Sequence, residues 1–398
     1  MVDSLLVPVA PEPSPQKLVE TLCQLLHRDA VARDRDAGVP LAARQWIRRH
    51  GLLGLSVPVQ AGGQGMSWSE LSPLVRQIAR VDSSLAHLLS YHYLGLTIPQ
   101  LFGDASVADG YFRRTVRERL FWCNALNPRD RRTTLRRAGD GYRLHGLKSF
   151  CSGSLDSDVI PTTAWLEGSE ELVIVILPTR TPGVELIDDW DNIGQRQTSS
   201  GTIRFHQVVL SPEQLFHPAR KAGSAFGSMR TLVAQQNLAN LYLGLAEGAL
   251  QEAIAHSRER RRHQVEKGSA LEPSATVLDR DRFAQLWVRL QAADAHYQRS
   301  LQQLDAAWQQ GAALTPDQRG RAAIAIATSK VLASETALEI SSAIFDRLGA
   351  RYTAASHGLD RYWRNIRTLS LHDSAETKLQ EIGAYLIDQQ WPTPGFYS

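Results

Sequence analysis

Cysteine is scarce in this chain of 398 residues: Cys23, Cys123 and Cys151 are too few for a disulfide framework and lack the short paired spacings of a zinc site. A reducing cytoplasm is the compartment this usage predicts. Long apolar runs are missing too, with nothing near the roughly 18 consecutive residues of a spanning helix. The start carries Asp3 and several prolines where a basic n-region would stand, so neither a membrane span nor a signal peptide is expected. Charge of one sign is also lacking, since 44 Lys and Arg against 41 Asp and Glu leave +3, which predicts no general surface for nucleic acid. Basic groups cluster only locally, at residues 113–119, 131–137 and 258–262. No Gly-x-Ser-x-Gly elbow surrounds Ser149 or Ser152, which argues against a serine hydrolase. The glycine-rich Gly62-Gly63-Gln64-Gly65 has no Walker lysine and does not sit between a strand and a helix, so a phosphate cradle is not expected there. No metal site and no solenoid repeat is expected.

What is present is ample apolar material, 43% of the chain, enough for two or three lobes. Residues 1–15 read as a loose, proline-rich arm. Helical spacing follows over 17–35 through Leu18, Leu22, Leu25 and Leu26, over 67–80 through Leu71, Leu74, Val75 and Ile78, and over the largely apolar 83–102. Strand patterns then appear at 142–150, 172–177, 183–187 and 202–210, with turn residues at Gly139-Asp140-Gly141 and Thr181-Pro182-Gly183, and short turns favour antiparallel pairing. Residues 129–137 read as a solvated basic loop. Helix returns from 223, most clearly in the stripe Leu238, Leu241, Tyr242, Leu245, Ala249 and Ala253, then a polar, loop-like stretch at 264–277. Long patterns at 283–311 and 317–349, the second entered through Thr315-Pro316, combine with 249–258 and 368–386 into an expected four-helix bundle. The fold class expected is α+β, mainly helical: an N-terminal helical lobe (1–121), a middle antiparallel β lobe (122–218) and a C-terminal bundle (219–398) through which subunits meet.

Three stretches carry candidate chemistry. The Ser/Cys/Gly-rich 147–158 joins strand patterns and offers exposed backbone and hydroxyls to a ligand. In Ser90-Tyr91-His92-Tyr93 the histidine is either a core residue with one satisfied nitrogen or a proton donor facing a pocket. Residues 362–373 supply Arg364 and Arg367 for a phosphate or carboxylate and His372-Asp373 for proton transfer, or, more blandly, structural ion pairs. Asn127, before Pro128, closes an extended stretch that begins at Phe121.

The order of lobes resembles the acyl-CoA dehydrogenase superfamily over nearly the whole chain. Within it, the segments 122–129, 145–154, 189–201 and 361–373, with the ending Trp391-Pro-Thr-Pro-Gly-Phe-Tyr-Ser398, resemble the reduced-flavin-dependent monooxygenases of the dibenzothiophene type. The resemblance implies FMN supplied as FMNH2, O2 as co-substrate, a separate NAD(P)H-dependent flavin reductase, a homotetramer, and a flavin hydroperoxide that oxygenates a small or aromatic organosulfur compound. It also implies roles: Ser152 on the flavin's central-ring nitrogen, Phe150 walling the ring, Asn127 beside flavin and oxygen, and His92 and His372 as the two pocket histidines. Arg262 would grip the FMN phosphate, with Arg367 a second cofactor-binding cation; the residues after Arg262 depart from the family's usual aromatic and proline pattern. The alternatives are an FAD-dependent acyl-CoA dehydrogenase or oxidase, with Asp373 near the position of its carboxylate base, a nitrogen-hydroxylating flavin monooxygenase, and a scaffold without flavin.

Overall fold

The computed structural model describes residues 13–218, 224–266 and 273–395. The expected arm up to residue 12, the expected boundary at 218/219 on its C-terminal side, the middle of the 264–277 stretch and the last three residues lie outside the described residues.

Six helices open the chain: α1 (Pro15–His27), α2 (Ala30–Asp36), α3 (Leu41–Arg49), α4 (Trp68–Ala79), α5 (Ser83–Phe102) and α6 (Ala105–Glu118). The single helical pattern over 17–35 is thus two helices, broken at residues 28–29. In α4, Ser67 accepts from the Glu70 amide while the Glu70 side chain accepts from the Ser67 amide, a reciprocal cap that fixes the start. Helix α5 starts where Asp82 accepts from the Leu85 amide at 2.9 Å, and nearly every residue along it is buried.

The β lobe is one seven-stranded sheet in the order β5-β6-β2-β1-β3-β4-β7. Its strands are β1 (Thr133–Ala138), β2 (Gly141–Lys148), β3 (Val159–Leu166), β4 (Leu172–Pro178), β5 (Val184–Ile187), β6 (Thr202–Leu210) and β7 (Leu215–Phe216). All neighbours pair antiparallel except β1 and β3, which run parallel, so the sheet is mixed and not wholly antiparallel. Because β1 lies between β2 and β3, the chain leaving β2 must pass the end of β1 before entering β3, and the 149–158 segment makes that crossing. Strand β1 occupies most of the basic stretch expected to be a loop: Thr133 and Leu135 are buried while Arg136 and Arg137 are exposed.

The bundle consists of α7 (Met229–Glu266), α8 (Pro273–Gln309) and α9 (Pro316–Leu348), flanked by the shorter α10 (Asp360–Ser370) and α11 (Ala375–Asp388). Thr315 and Gln318 cap α9 reciprocally with Pro316 in its first turn. The pattern expected as one helix over 368–386 is broken by a corner at 371–374, where Ser374 caps α11. One apolar core runs through both helical regions, from Leu22, Leu71 and Leu89 to Leu238, Leu301 and Ile340. The sheet has its own core around Leu144, Val175 and Phe205, and Leu96 and Ile98 of α5 pack with Ile174 and Ile176 of β4. Helix α5 therefore touches both layers, and side chains from its two faces point in different directions.

Candidate functional site

A cavity of about 350 Å³ opens where α5, the corner between α10 and α11 and two irregular segments of the β lobe meet. Those segments, 150–154 and 190–200, are fixed on each other by backbone bonds from Cys151 to Gly201 (2.9 Å) and from Gly153 to Thr198 (2.7 Å). The second is laid tightly on α10: a Cβ at Gly194 would come 2.1 Å from the Arg364 carbonyl, so only glycine fits. Phe150, Gln195 and Ser199 all hold positive φ, at 61°, 54° and 40°, an unfavourable conformation for side chains of this kind. Such strain collects where surrounding structure over-determines the backbone, and here it sits in both walls of one cavity.

A row of hydroxyls ends in the cavity. Thr198 donates to the Gln195 carbonyl at 2.8 Å, so its oxygen accepts from Ser200 at 2.7 Å, whose oxygen in turn accepts from Ser152 at 2.8 Å. With its one proton so used, Ser152 accepts from His87 Nε2–H at 3.2 Å. That polarity assigns the His87 tautomer: Nε2 carries the proton and Nδ1 is a buried acceptor with no hydrogen-bond partner within the protein. Burial, helped by the nearby His372, pushes the His87 pKa down to about 3, so the ring is neutral. Its face lies on Tyr91, with centroids 4.3 Å apart and planes within 7°.

His372 enters from the α10–α11 corner. Its ring is open to the cavity yet enclosed by protein, and this desolvation, with the Lys330 ammonium and Arg230 opposing Asp373, holds its pKa below the ordinary histidine value. The two histidines therefore present neutral imidazoles to one space. Phe150, largely exposed, meets Trp190 edge-on at 6.0 Å, and Arg367 supplies a cation at the rim.

Of the residues to which the resemblance gives a role at the flavin, the structure gathers Phe150, Ser152, Arg367 and His372 around this cavity and leaves His92, Asn127 and Arg262 elsewhere. His92 is wholly buried in the core behind it: Nε2 donates to the Leu53 carbonyl at 2.9 Å and Nδ1 accepts from the Trp122 amide at 3.2 Å. Five residues along a helix turn a side chain by about 500°, so His87 and His92 cannot face the same way. The pocket histidine on α5 is His87, and the expectation placed on His92 is corrected. Asn127 folds onto its own turn, accepting from the Arg129 amide at 3.2 Å, while Asn124, paired across an isolated bridge to Ser152, lines the cavity. Arg262 is exposed near the end of α7 and does not line it. Asp373 also turns away, its carboxylate accepting from Gln235 at 2.7 Å and from Lys330 at 3.0 Å. His87, Asn124, Trp190 and Ser200 are the residues that sequence reasoning missed. Trp190 and Ser200 lay inside the quoted 189–201 segment without being singled out.

The donor set fits a flavin. An aromatic wall at Phe150 and Trp190 suits a planar ring, the Ser152 oxygen, with its proton held by Ser200, has a lone pair left to accept from a ring-edge N–H, and Arg367 can meet a phosphate. The unsatisfied His87 Nδ1 marks a polar group that the fold leaves for something placed in the cavity, whose volume falls at the small end of ligand sites, roughly 300–1,000 Å³. Among the described residues no group of three or more His, Cys, Asp and Glu could hold a metal ion.

Comparison with known proteins agrees. Residues 16–119 match the acyl-CoA dehydrogenase N-terminal domain and residues 237–377 its C-terminal domain. The chain is 38% identical to the probable FMNH2-dependent monooxygenase SfnC of Pseudomonas putida over 98% of its own length and 99% of the relative's. It is equally similar, at 38% identity and a TM-score of 0.89, to methanesulfinate monooxygenase MsuC from Pseudomonas fluorescens, covering 97% of this chain and 100% of that one. The FMN-bound form of TdsC, a dibenzothiophene monooxygenase from Paenibacillus sp. A11-2, superimposes with a TM-score of 0.90 at 32% identity over 96% of this chain and 100% of that one. A cavity built for a flavin, on this fold and at these identities, makes the chain a member of the FMNH2-dependent monooxygenase branch of the acyl-CoA dehydrogenase superfamily.

Proposed function

We propose that the chain inserts one oxygen atom of O2 into a small or aromatic organosulfur compound, using FMNH2 delivered by a separate NAD(P)H-dependent flavin reductase, and works as a cytoplasmic homotetramer. The observation that carries the reaction type is the make-up of the cavity: two neutral histidines converge on it, and no carboxylate lines it among the described residues. Dehydrogenation of an acyl thioester needs a carboxylate to take an α proton, and the one near candidate, Asp373, is buried in a bond to Lys330 with its pKa held below the usual carboxylate range by that ammonium. The sulfur class rests on what the chain's relatives MsuC and TdsC are named for, methanesulfinate and dibenzothiophene. No helix among the described residues is long and apolar enough to cross a membrane, which is compatible with the compartment.

Bound reduced FMN supplies the two electrons that activate O2. The chain's own part is positional. Ser152 holds the ring edge, and the row through Ser200 and Thr198 fixes the direction of its hydroxyl. His87 Nδ1 accepts a hydrogen bond from a protonated oxygen, and the neutral His372 imidazole gives or takes a proton opposite. With FMN in place, Phe150, Trp190, Ile193 and Leu371 would screen the space from water. Arg367 and, from another subunit, Arg262 would hold the phosphate.

The test is to load the protein with FMN, reduce it anaerobically and mix it with ¹⁸O2 and a panel of sulfinates, sulfides, thiophenes, amines and acyl-CoA. Label in a sulfur product is the expected result. Reoxidation without label in any sulfur compound, or bleaching of oxidised flavin by acyl-CoA alone, would overturn the reading, and label only in an amine would move the reaction to nitrogen.

A further inference from the structure

On the bundle side of the cavity, directly behind His372, the fold buries an ammonium that the reaction does not touch. Lys330 lies near the middle of α9 and is 1% exposed. Its Nζ donates twice to one residue, to the main-chain carbonyl of Asp373 at 2.8 Å and to its carboxylate at 3.0 Å. The same carboxylate accepts from Gln235 of α7 at 2.7 Å, and Lys378, itself paired with Glu381 at 3.0 Å, stands 3.9 Å away. On its other side, the His372 amide donates to the Leu369 carbonyl at 3.1 Å. His372 is therefore held between a closing turn of α10 and a residue gripped by both its backbone and its side chain.

We propose that Lys330 is a positioning residue for His372: its two bonds to Asp373 pin the α10–α11 corner so that the His372 imidazole stands in the cavity in one orientation. The inference rests on the reading of His372 as the cavity's proton-handling group. A buried lysine and aspartate are a costly way to fill space, since apolar side chains of similar volume generally stabilise as well or better. What apolar side chains cannot do is hold a main-chain carbonyl in a corner of only four residues between two helices. Misplacing a reacting group by about 1 Å costs on the order of 100-fold in rate, so a corner that shifts would be felt in turnover. The charged and titratable groups around His372 are His87 and Tyr91 of α5, Arg230 of α7, Lys330 of α9, Arg367 of α10 and Asp373, and of these only Lys330 bonds to the backbone of the corner among the bonds described.

The test uses the double variant Lys330→Met/Asp373→Asn, which removes the grip without leaving a buried charge alone. Its expected behaviour is wild-type FMN affinity, unchanged KM, and a kcat for oxygenated product reduced about tenfold or more, with oxygen diverted to hydrogen peroxide. In the flavin-free protein, the ¹⁵N–¹H signals of the His372 ring, assigned by their loss in His372→Ala, should shift and broaden. Wild-type kcat and unmoved ring signals in the double variant would overturn the proposal, because a merely structural pair would then have been replaced without consequence. If His372→Ala itself keeps full coupled turnover, the functional reading of His372 fails; if it loses turnover while the double variant does not, only the role of Lys330 fails.

Discussion

Replacing Ser152 by alanine deletes the oxygen that joins the hydroxyl row to His87. Two neutral hydrogen bonds go, 2.8 Å to Ser200 and 3.2 Å to His87, each with a net value of about 1 kcal/mol. Both partners border a cavity that water can enter, and water recovers part of the loss, so folding stability should fall by about 1 kcal/mol and the fold should stand. The effect on flavin is of similar size in energy but more visible: one hydrogen bond lost at the ring edge, about 0.5–1.5 kcal/mol, weakens FMN binding roughly two- to tenfold. The largest effect should be on coupling, because His87 Nε2–H loses the acceptor that fixes its tautomer, and Nδ1 is no longer reliably the bare nitrogen. Quenching of FMN fluorescence on titration gives the affinity, a urea midpoint the stability, and the ratio of peroxide to product the coupling. Ser200→Ala is the comparison, since it leaves Ser152 in place and only frees its proton, and it should show a smaller loss on every measure. If Ser152→Ala binds FMN and couples oxygen as the wild type does, the site has been assigned wrongly.

The two histidines of α5 should separate cleanly: His87→Ala should abolish most coupled turnover with a modest loss of stability, while His92→Ala, which orphans the Leu53 carbonyl and the Trp122 amide, should cost about 3–5 kcal/mol, read from urea unfolding. Acid should destabilise the fold early. His87 and His92 are buried with pKa values pushed down to about 3 and about 4, so between the unfolded value near 6.5 and those values the unfolded chain binds protons that the folded chain does not, and each contributes a loss of about 2 kcal/mol by pH 5. A urea midpoint that stays level from pH 7 to pH 5 would contradict the burial of both rings. Arg367→Ala should weaken FMN about tenfold or more while leaving riboflavin, which lacks the phosphate, nearly unaffected; equal losses for both would remove Arg367 from the phosphate.

Much of the fold was legible because its boundaries are written locally. Thr315-Pro316 before α9 is a cap that acts within three residues, and the structure starts that helix where it predicts. Strands β1 and β3 were not legible. One is a third arginine, and the other contains Pro161 and two threonines, which look like loop chemistry until pairing with β4 buries them. The site shows the same division. Ser152, Phe150 and His372 lie where the chain itself bends, with Arg367 in the last turn of α10 just before such a bend, and motif-level reading singled them out. His87 and His92 lie on a helix buried all round, so no amphipathic stripe indicates which face meets the β lobe. Asn124 and Asn127 differ in the same way, since only the bridge from 124 to Ser152 decides which amide reaches the cavity.

The apolar core shared by the first and last helical regions has a consequence for how the chain is made. Helices α4 and α5 emerge from a ribosome with an apolar surface that α7 and α8 later cover, and more than a hundred residues, including the entire sheet, separate the end of α5 from the start of α7. At roughly 5–20 residues per second the uncovered surface waits on the order of ten seconds. Nascent chains halted before residue 229 should therefore hold on to holdase chaperones, and the helices that follow that residue act as the release signal for the first ones.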